Sequence, residues 1–230
     1  MTTIAANLQA VRERIAAACA AAGRAPAEVA LLAVSKTWPV AAVREAAAAG
    51  QRAFGESYVQ EAVVKIAVLR DLAAEWHFIG PLQSNKTKAV AENFAWVHSI
   101  ERLKIAERLS AQRPVDLPPL DVCLQVNVSG EASKSGCAPE EAPGLARAIA
   151  QLPRLRLRGL MAIPEPTENP ALARRRFAGL RELRDRLVAD GLPLDTLSMG
   201  MSHDLEAAIM EGATLVRIGT AIFGERTYST

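Results

Sequence analysis

Short apolar runs alternate with longer stretches rich in alanine, arginine and glutamate, and this alternation limits the fold more than any other feature. The first apolar run, Val29-Ala30-Leu31-Leu32-Ala33-Val34, is unbroken. A run of that length suits a strand buried on both faces, as in a parallel sheet. Comparable runs follow at Arg52–Phe54, Trp76–Ile79, Trp96–His98, Leu120–Val126, Leu155–Met161, Asp195–Leu197 and Leu215–Ile218. Apolar residues at helical spacing fill the segments between them, at about 40–49, 58–73, 85–92, 101–111, 139–151, 170–190 and 203–211. A further helix, about 5–22, precedes the first strand. Repeated strand–helix units with short connections imply parallel strands and right-handed crossovers. Eight such units predict a closed α/β barrel with one extra amino-terminal helix; an open, doubly wound sheet is the alternative. No internal repeat or low-complexity linker interrupts the pattern, so residues 1–230 read as one barrel domain.

Local punctuation supports these boundaries. Gly23, Gly50, Gly191 and Gly212 each end a helical stretch, where a left-handed backbone is predicted. Ser57-Tyr58-Val59-Gln60 reads as a capping box. Pro39, Pro139 and Pro170 fall near helix starts, where a missing N–H costs little. The loop from Pro164 to Pro170 is the segment expected to move most.

Composition excludes several partners. With 27 basic and 25 acidic side chains the net charge is about +2, too small to draw the chain to nucleic acid or an anionic membrane. Three scattered cysteines, Cys19, Cys123 and Cys137, form neither a metal spacing nor a disulfide framework. That fits a reducing cytoplasm. The start, Met1-Thr2-Thr3-Ile4, lacks the pattern of a signal peptide, and no apolar stretch is long enough to span a bilayer. His77, His98 and His203 share no ligand spacing and are read as structural, so no metal is expected. Arg174-Arg175-Arg176 reads as a solvated helix face, and Arg154, Arg156 and Arg158 alternate at strand spacing.

In parallel βα barrels, active sites form at the carboxyl ends of the strands. Lys36 follows a wholly apolar strand, where a lysine is costly unless its charge is paired or its pKa falls. A lowered pKa leaves a nucleophilic amine suited to Schiff-base formation. The alternative is a lysine that snorkels to solvent past the strand end. Gly219-Thr220, after the last strand, suits an anion held by backbone N–H groups; a plain tight turn is the alternative. Ser202, expected at the amino end of a helix, either adds a hydroxyl to that site or simply caps the helix. Arg217 lies two residues before Gly219 and shares its face of the strand. It needs an anion, an acceptor nitrogen, or a salt bridge with an acid such as Glu56 or Asp204.

Together these stretches resemble the pyridoxal phosphate homeostasis protein family. The matching segments are Ala33-Val34-Ser35-Lys36, Phe54-Gly55-Glu56-Ser57-Tyr58-Val59-Gln60-Glu61, Trp76–Lys86, Val126-Asn127, Gly159-Leu160-Met161, Leu197–Ser202 and Val216–Gly224. They span nearly the whole chain in family order. The resemblance implies a (β/α)8 TIM-like barrel of the alanine racemase N-terminal-domain type. It implies pyridoxal 5'-phosphate as cofactor, held as a Schiff base on Lys36. Arg217 would face the pyridine nitrogen, and Ser202, Gly219 and Thr220 would hold the phosphate. Asn85, Ser198 and Met199 would lie close by. Two positions depart from the family: Ser57 stands where asparagine is usual, and His203 where a small or acidic residue is common.

Two functions are compatible with that site. One is a carrier serving intracellular homeostasis of the cofactor and handing it to pyridoxal-phosphate-dependent apoenzymes. The other is a pyridoxal-phosphate-dependent amino-acid racemase. The cofactor is a good electron sink when its pyridine nitrogen is protonated. Arginine can only donate a hydrogen bond and so opposes that state. A racemase also needs a second acid–base residue, which in the related barrels comes from a carboxyl-terminal β domain and a partner subunit. The chain ends at Thr230, and Tyr58 and Tyr228 are its only tyrosines. The carrier is therefore expected, without catalytic residues, and as a monomer.

Overall fold

The computed structural model describes residues 3–131 and 135–225. Eight parallel strands close into a barrel in sequence order. They are β1 (Ala30–Val34), β2 (Ala53–Glu56), β3 (Glu75–Phe78), β4 (Trp96–Ile100), β5 (Leu120–Gln125), β6 (Leu155–Met161), β7 (Thr196–Ser198) and β8 (Leu215–Ile218). Ala33 pairs with Phe54 of β2 on one side and with Ile218 of β8 on the other. Closure satisfies both edges of every strand and rules out the open sheet. The crossovers are α2 (Val40–Ala48), α3 (Val59–Val68), α4 (Thr87–Asn93), α5 (Leu103–Gln112), α6 (Ala142–Ala150), α7 (Pro170–Ala189) and α8 (Leu205–Met210). The extra helix α1 (Ile4–Ala21) precedes them, and a single turn, α9 (Thr220–Phe223), follows β8.

Alternation along each strand separates two cores. Phe54, Phe78, Val97 and Val122 belong to the large apolar cluster shared with the helices. Trp96, Cys123 and Met161 form a separate small cluster on the other face of the strands, inside the barrel. On α1 the buried residues are Leu8, Val11, Ile15, Ala18 and Cys19, spaced as one helical stripe. Thr3 caps that helix, its Oγ1 accepting from the Ala6 amide at 3.2 Å. Helix α1 also ties down the loops after β7 and β8. Asn7 donates to the Ile222 carbonyl at 2.9 Å, and Arg14 to the Ser202 carbonyl at 3.2 Å.

Several local expectations change. Gly23, Gly50, Gly191 and Gly212 do take positive φ, between 66° and 93°. The capping box at Ser57 does not form: α3 starts at Val59 behind Tyr58, with no side-chain cap. The chain at Ser57 is instead pressed against Gly80, whose Cβ would lie 2.3 Å from the Ser57 carbonyl oxygen, so only glycine fits there. Helix α8 starts at Leu205 behind Asp204, so Ser202 lies in the preceding loop and does not cap it. The arginine clusters are more paired than their spacing suggests. Arg174 bonds to Glu211 and Arg176 to Glu165. Arg156 and Arg158 both reach Asp121, and Arg158 also reaches Asp195.

Candidate functional site

A pocket of about 210 Å³ opens at the carboxyl ends of β1 and β8. Lys36, Ser202, Arg217, Gly219 and Thr220 line it, with Val34, Ser57, Ile79, Ile163, Met201 and His203. The lining therefore carries two cationic side chains and no carboxylate among the described residues. An anionic ligand is what such a cavity selects.

Lys36 is held by its neighbours in the chain. Thr37 adopts φ +69°, the left-handed region that a β-branched residue rarely enters. Two hydrogen bonds hold it there: its amide donates to Glu61 Oε1 at 2.7 Å, and its hydroxyl to the Lys36 carbonyl at 2.6 Å. Glu61 in turn belongs to a buried ionic cluster. Lys65 Nζ donates to Glu61 Oε1 at 2.9 Å, Glu56 Oε1 at 2.7 Å and the Ser35 carbonyl at 2.9 Å. Ser35 Oγ donates to Glu56 Oε1 at 2.6 Å. Burial raises the Glu56 carboxyl above its ordinary range, against the opposing pull of Lys65. Residues on both sides of Lys36 are thereby fixed to β2 and α3. Strain maintained by such surroundings is common at functional sites.

Arg217 is only 3% exposed. Neither Glu56 nor Asp204 forms a salt bridge with it among the described residues. Its Nη1 donates to Ser198 Oγ and its Nη2 to the Ala162 carbonyl, each at 2.8 Å. Burial pushes its pKa down to about 10, opposed in part by Asp204. A buried guanidinium without a counter-ion is costly unless a further acceptor reaches it, and Arg217 faces the pocket.

The pocket thus gathers five of the eight residues anticipated from sequence: Lys36, Ser202, Arg217, Gly219 and Thr220. Ser198 is fully buried behind Arg217, and Met199 packs in the main core. Asn85 sits exposed on the 3-10 turn Ser84–Lys86 and is not part of the lining. Sequence reasoning gave Thr37 and Glu61 no role of their own and missed Lys65. Their one available signal was a lysine on the apolar face of a helix, four residues after a glutamate. It also missed that His77 and His98 meet, with Nδ1 of His77 and Nε2 of His98 2.9 Å apart. Pairing of β3 and β4 brings them together; no sequence spacing does.

The donor set suits a phosphorylated aldehyde with a ring acceptor. An amine, a donor-only guanidinium, and an end made of hydroxyls and a backbone turn converge on one cavity. A wider groove of about 580 Å³ shares Met201 and His203 with it, between the Pro166–Pro170 loop and α8. Among the described residues, no helix is long and apolar enough to cross a membrane. Cys19, Cys123 and Cys137 are buried free thiols.

Residues 6–227 match the family described as alanine racemase, N-terminal domain. The chain is 68% identical over 228 residues to the pyridoxal phosphate homeostasis protein of Pseudomonas aeruginosa, covering 99% of this chain and 98% of that one. It superposes on PipY of Synechococcus elongatus PCC7942 with PLP bound at a TM-score of 0.85. The identity there is 38%, with 96% of this chain and all of that one covered (100%). Alanine racemase from Corynebacterium glutamicum shares the fold at a TM-score of 0.67 and 20% identity. That match covers 96% of this chain and 62% of that one.

Proposed function

The chain belongs to the pyridoxal phosphate homeostasis protein family, within the alanine racemase N-terminal-domain family, and on that premise we propose that it binds pyridoxal 5'-phosphate through a Schiff base on Lys36. The observation that carries this reading is the shared pocket of Lys36, Arg217, Ser202, Gly219 and Thr220, with no carboxylate in its lining among the described residues. The amine of Lys36 condenses with the aldehyde and releases one water. Arg217 donates to the ring nitrogen. Ser202, Thr220 and the turn at Gly219 take the phosphate, which favours helix-start amides. Asn85, Ser198 and Met199 support the site from outside the lining.

When bound, the cofactor supplies an electron sink for reactions at the α-carbon of amines. Arg217 works against that use, because it offers the ring nitrogen a hydrogen bond and takes no proton from solvent at neutral pH. The reading is accordingly a cofactor carrier in the cytoplasm. It acts as a monomer that holds pyridoxal phosphate and passes it to apoenzymes. The buried free thiols and the lack of a membrane-crossing helix among the described residues are consistent with that compartment. The family is named for homeostasis, and the racemases that share the fold do so at low identity. Tyr58 is exposed and absent from the pocket lining; Tyr228 lies outside the described residues.

The test is spectroscopic. Protein mixed with pyridoxal phosphate should turn yellow, and Lys36→Ala should abolish the visible band while leaving the melting temperature close to wild type. An unchanged spectrum in that variant rejects Lys36 as the tether. Robust racemisation of alanine by purified protein rejects the carrier.

A further inference from the structure

A line of polar side chains runs through the barrel interior, from the pocket to the opposite mouth. Behind Arg217, Ser198 Oγ lies 2.8 Å from His98 Nδ1. His98 Nε2 lies 2.9 Å from His77 Nδ1, and His77 Nε2 lies 2.8 Å from Glu75 Oε1. Glu75 opens β3, and its side chain is 53% exposed at the amino-terminal mouth. Barrel interiors of this kind are ordinarily filled by branched apolar residues, so a polar line there needs a reason.

The chemistry of the two ends fixes the direction of every bond. Arginine can only donate, and an ionised carboxylate can only accept. Burial keeps His98 and His77 below their usual pKa, and the bond from His77 holds Glu75 ionised. Each neutral imidazole then has one N–H. His77 Nε2–H donates to Glu75, so its Nδ1 accepts. His98 Nε2–H donates to that nitrogen, so His98 Nδ1 accepts in turn. Ser198 must give its hydroxyl hydrogen to His98, which leaves the oxygen free to accept from Arg217. A cationic donor at one mouth is thus joined to an anionic acceptor at the other. Other charged groups face the line at both ends: Asp204 acts on Arg217 beside the pocket, and two more act at the lower mouth. Asp121 acts on His77, Arg158 acts on Glu75, and Trp96 stacks on His77 at 5.4 Å with rings 5° from parallel.

We infer that Glu75, His77, His98 and Ser198 are positioning residues for Arg217, a one-way chain of hydrogen bonds that holds its guanidinium toward the ring nitrogen of the bound cofactor. The inference rests on the pyridoxal phosphate reading above. It makes ring recognition in the pocket sensitive to the group at the far mouth, four side chains from Arg217. A donor in place of Glu75 forces His77 to present Nδ1–H, His98 to turn its own N–H toward Ser198, and Ser198 to give up its hydrogen bond to His98.

Glu75 is exposed enough to replace without unfolding the chain. Glu75→Gln keeps an acceptor oxygen for His77, whereas Glu75→Lys supplies only donors. Full-length protein is titrated with pyridoxal phosphate, and the visible band and affinity are recorded. Imidazole nitrogen–proton NMR of the ligand-free protein reads the tautomers. The expected result is N–H on Nε2 of both His77 and His98 in the wild type. Glu75→Lys should weaken binding by about fivefold and shift the visible band, with Glu75→Gln restoring both. Wild-type binding with an unaltered Glu75→Lys spectrum and affinity overturns the inference alone, as does N–H on Nδ1 of His98. A wild type that takes up no pyridoxal phosphate overturns the proposed function, and the inference with it.

Discussion

Lys65 and Arg217 are both buried cations, 4% and 3% exposed, and the barrel treats them in opposite ways. Lys65 lies between β2 and α3 with carboxylates on two sides, Glu56 and Glu61. Arg217 lies inside the barrel and meets a hydroxyl and a carbonyl, with no salt bridge among the described residues. A buried charge matched within the fold serves the fold, because removing either partner leaves the other stranded. A buried charge with neutral neighbours keeps its attraction for whatever enters beside it. The contrast separates a cation that braces the Lys36 segment from one suited to receive a ligand.

Breaking the matched cation should have the largest effect. Lys65→Ala leaves Glu56 and Glu61 without their cation and should cost about 3–5 kcal/mol, read from urea denaturation midpoints. If the loss is under 1 kcal/mol, the cluster does not brace the fold as described. Arg217→Met tests the other side. Its melting temperature should stay within about 4 °C of wild type, since a costly buried charge is removed along with its two bonds. Its affinity for pyridoxal phosphate should fall about tenfold, or ~1.4 kcal/mol. A large stability loss with unchanged affinity would reverse the assignment.

Acid should distinguish the same two regions by sign. Burial depresses the pKa of His98, and of His77 despite its bond to Glu75. The unfolded chain takes up protons on these imidazoles below about pH 6.5, while the folded protein resists. Their contribution is complete above that pH and declines below it, by up to ~1.4 kcal/mol per pH unit for each imidazole. Glu56 runs the other way. Its folded pKa is raised, so its contribution is full below the unfolded value near ~4.3 and is lost as pH rises through the folded one. Denaturation midpoints between pH 7 and pH 5 should therefore fall for the wild type and fall less steeply for His98→Gln. A flat profile would mean that the imidazoles are not buried neutral groups.

Much of this molecule was legible along the chain because strand and helix patterns are local. Leu155–Met161 and Leu215–Ile218 form the strands expected of them, and the others shift by a few residues at their ends. The failures lie at caps. Ser57 looked like a capping residue, but the approach of Gly80 holds its backbone elsewhere. Ser202 looked like a helix start, but α8 begins three residues later. Cap geometry depends on what packs against the loop, which no four-residue motif records.

The sequence by itself determined eight strands alternating with helices, through eight apolar runs, while closure into a barrel rather than an open sheet was decided by strand pairing. It also marked Lys36 and Arg217, since a cation at or inside an apolar strand is conspicuous. Tertiary structure alone decided that the buried Lys65 meets Glu56 and Glu61 while Arg217 meets a hydroxyl and a carbonyl. It set Thr37 at positive φ beneath Glu61, and it joined His77 to His98, Ser198 and Arg217. These contacts link β3, β4, β7 and β8, whose residues are up to 140 positions apart between His77 and Arg217 (217 − 77). Only the register and closure of the parallel strands bring such residues within hydrogen-bond reach.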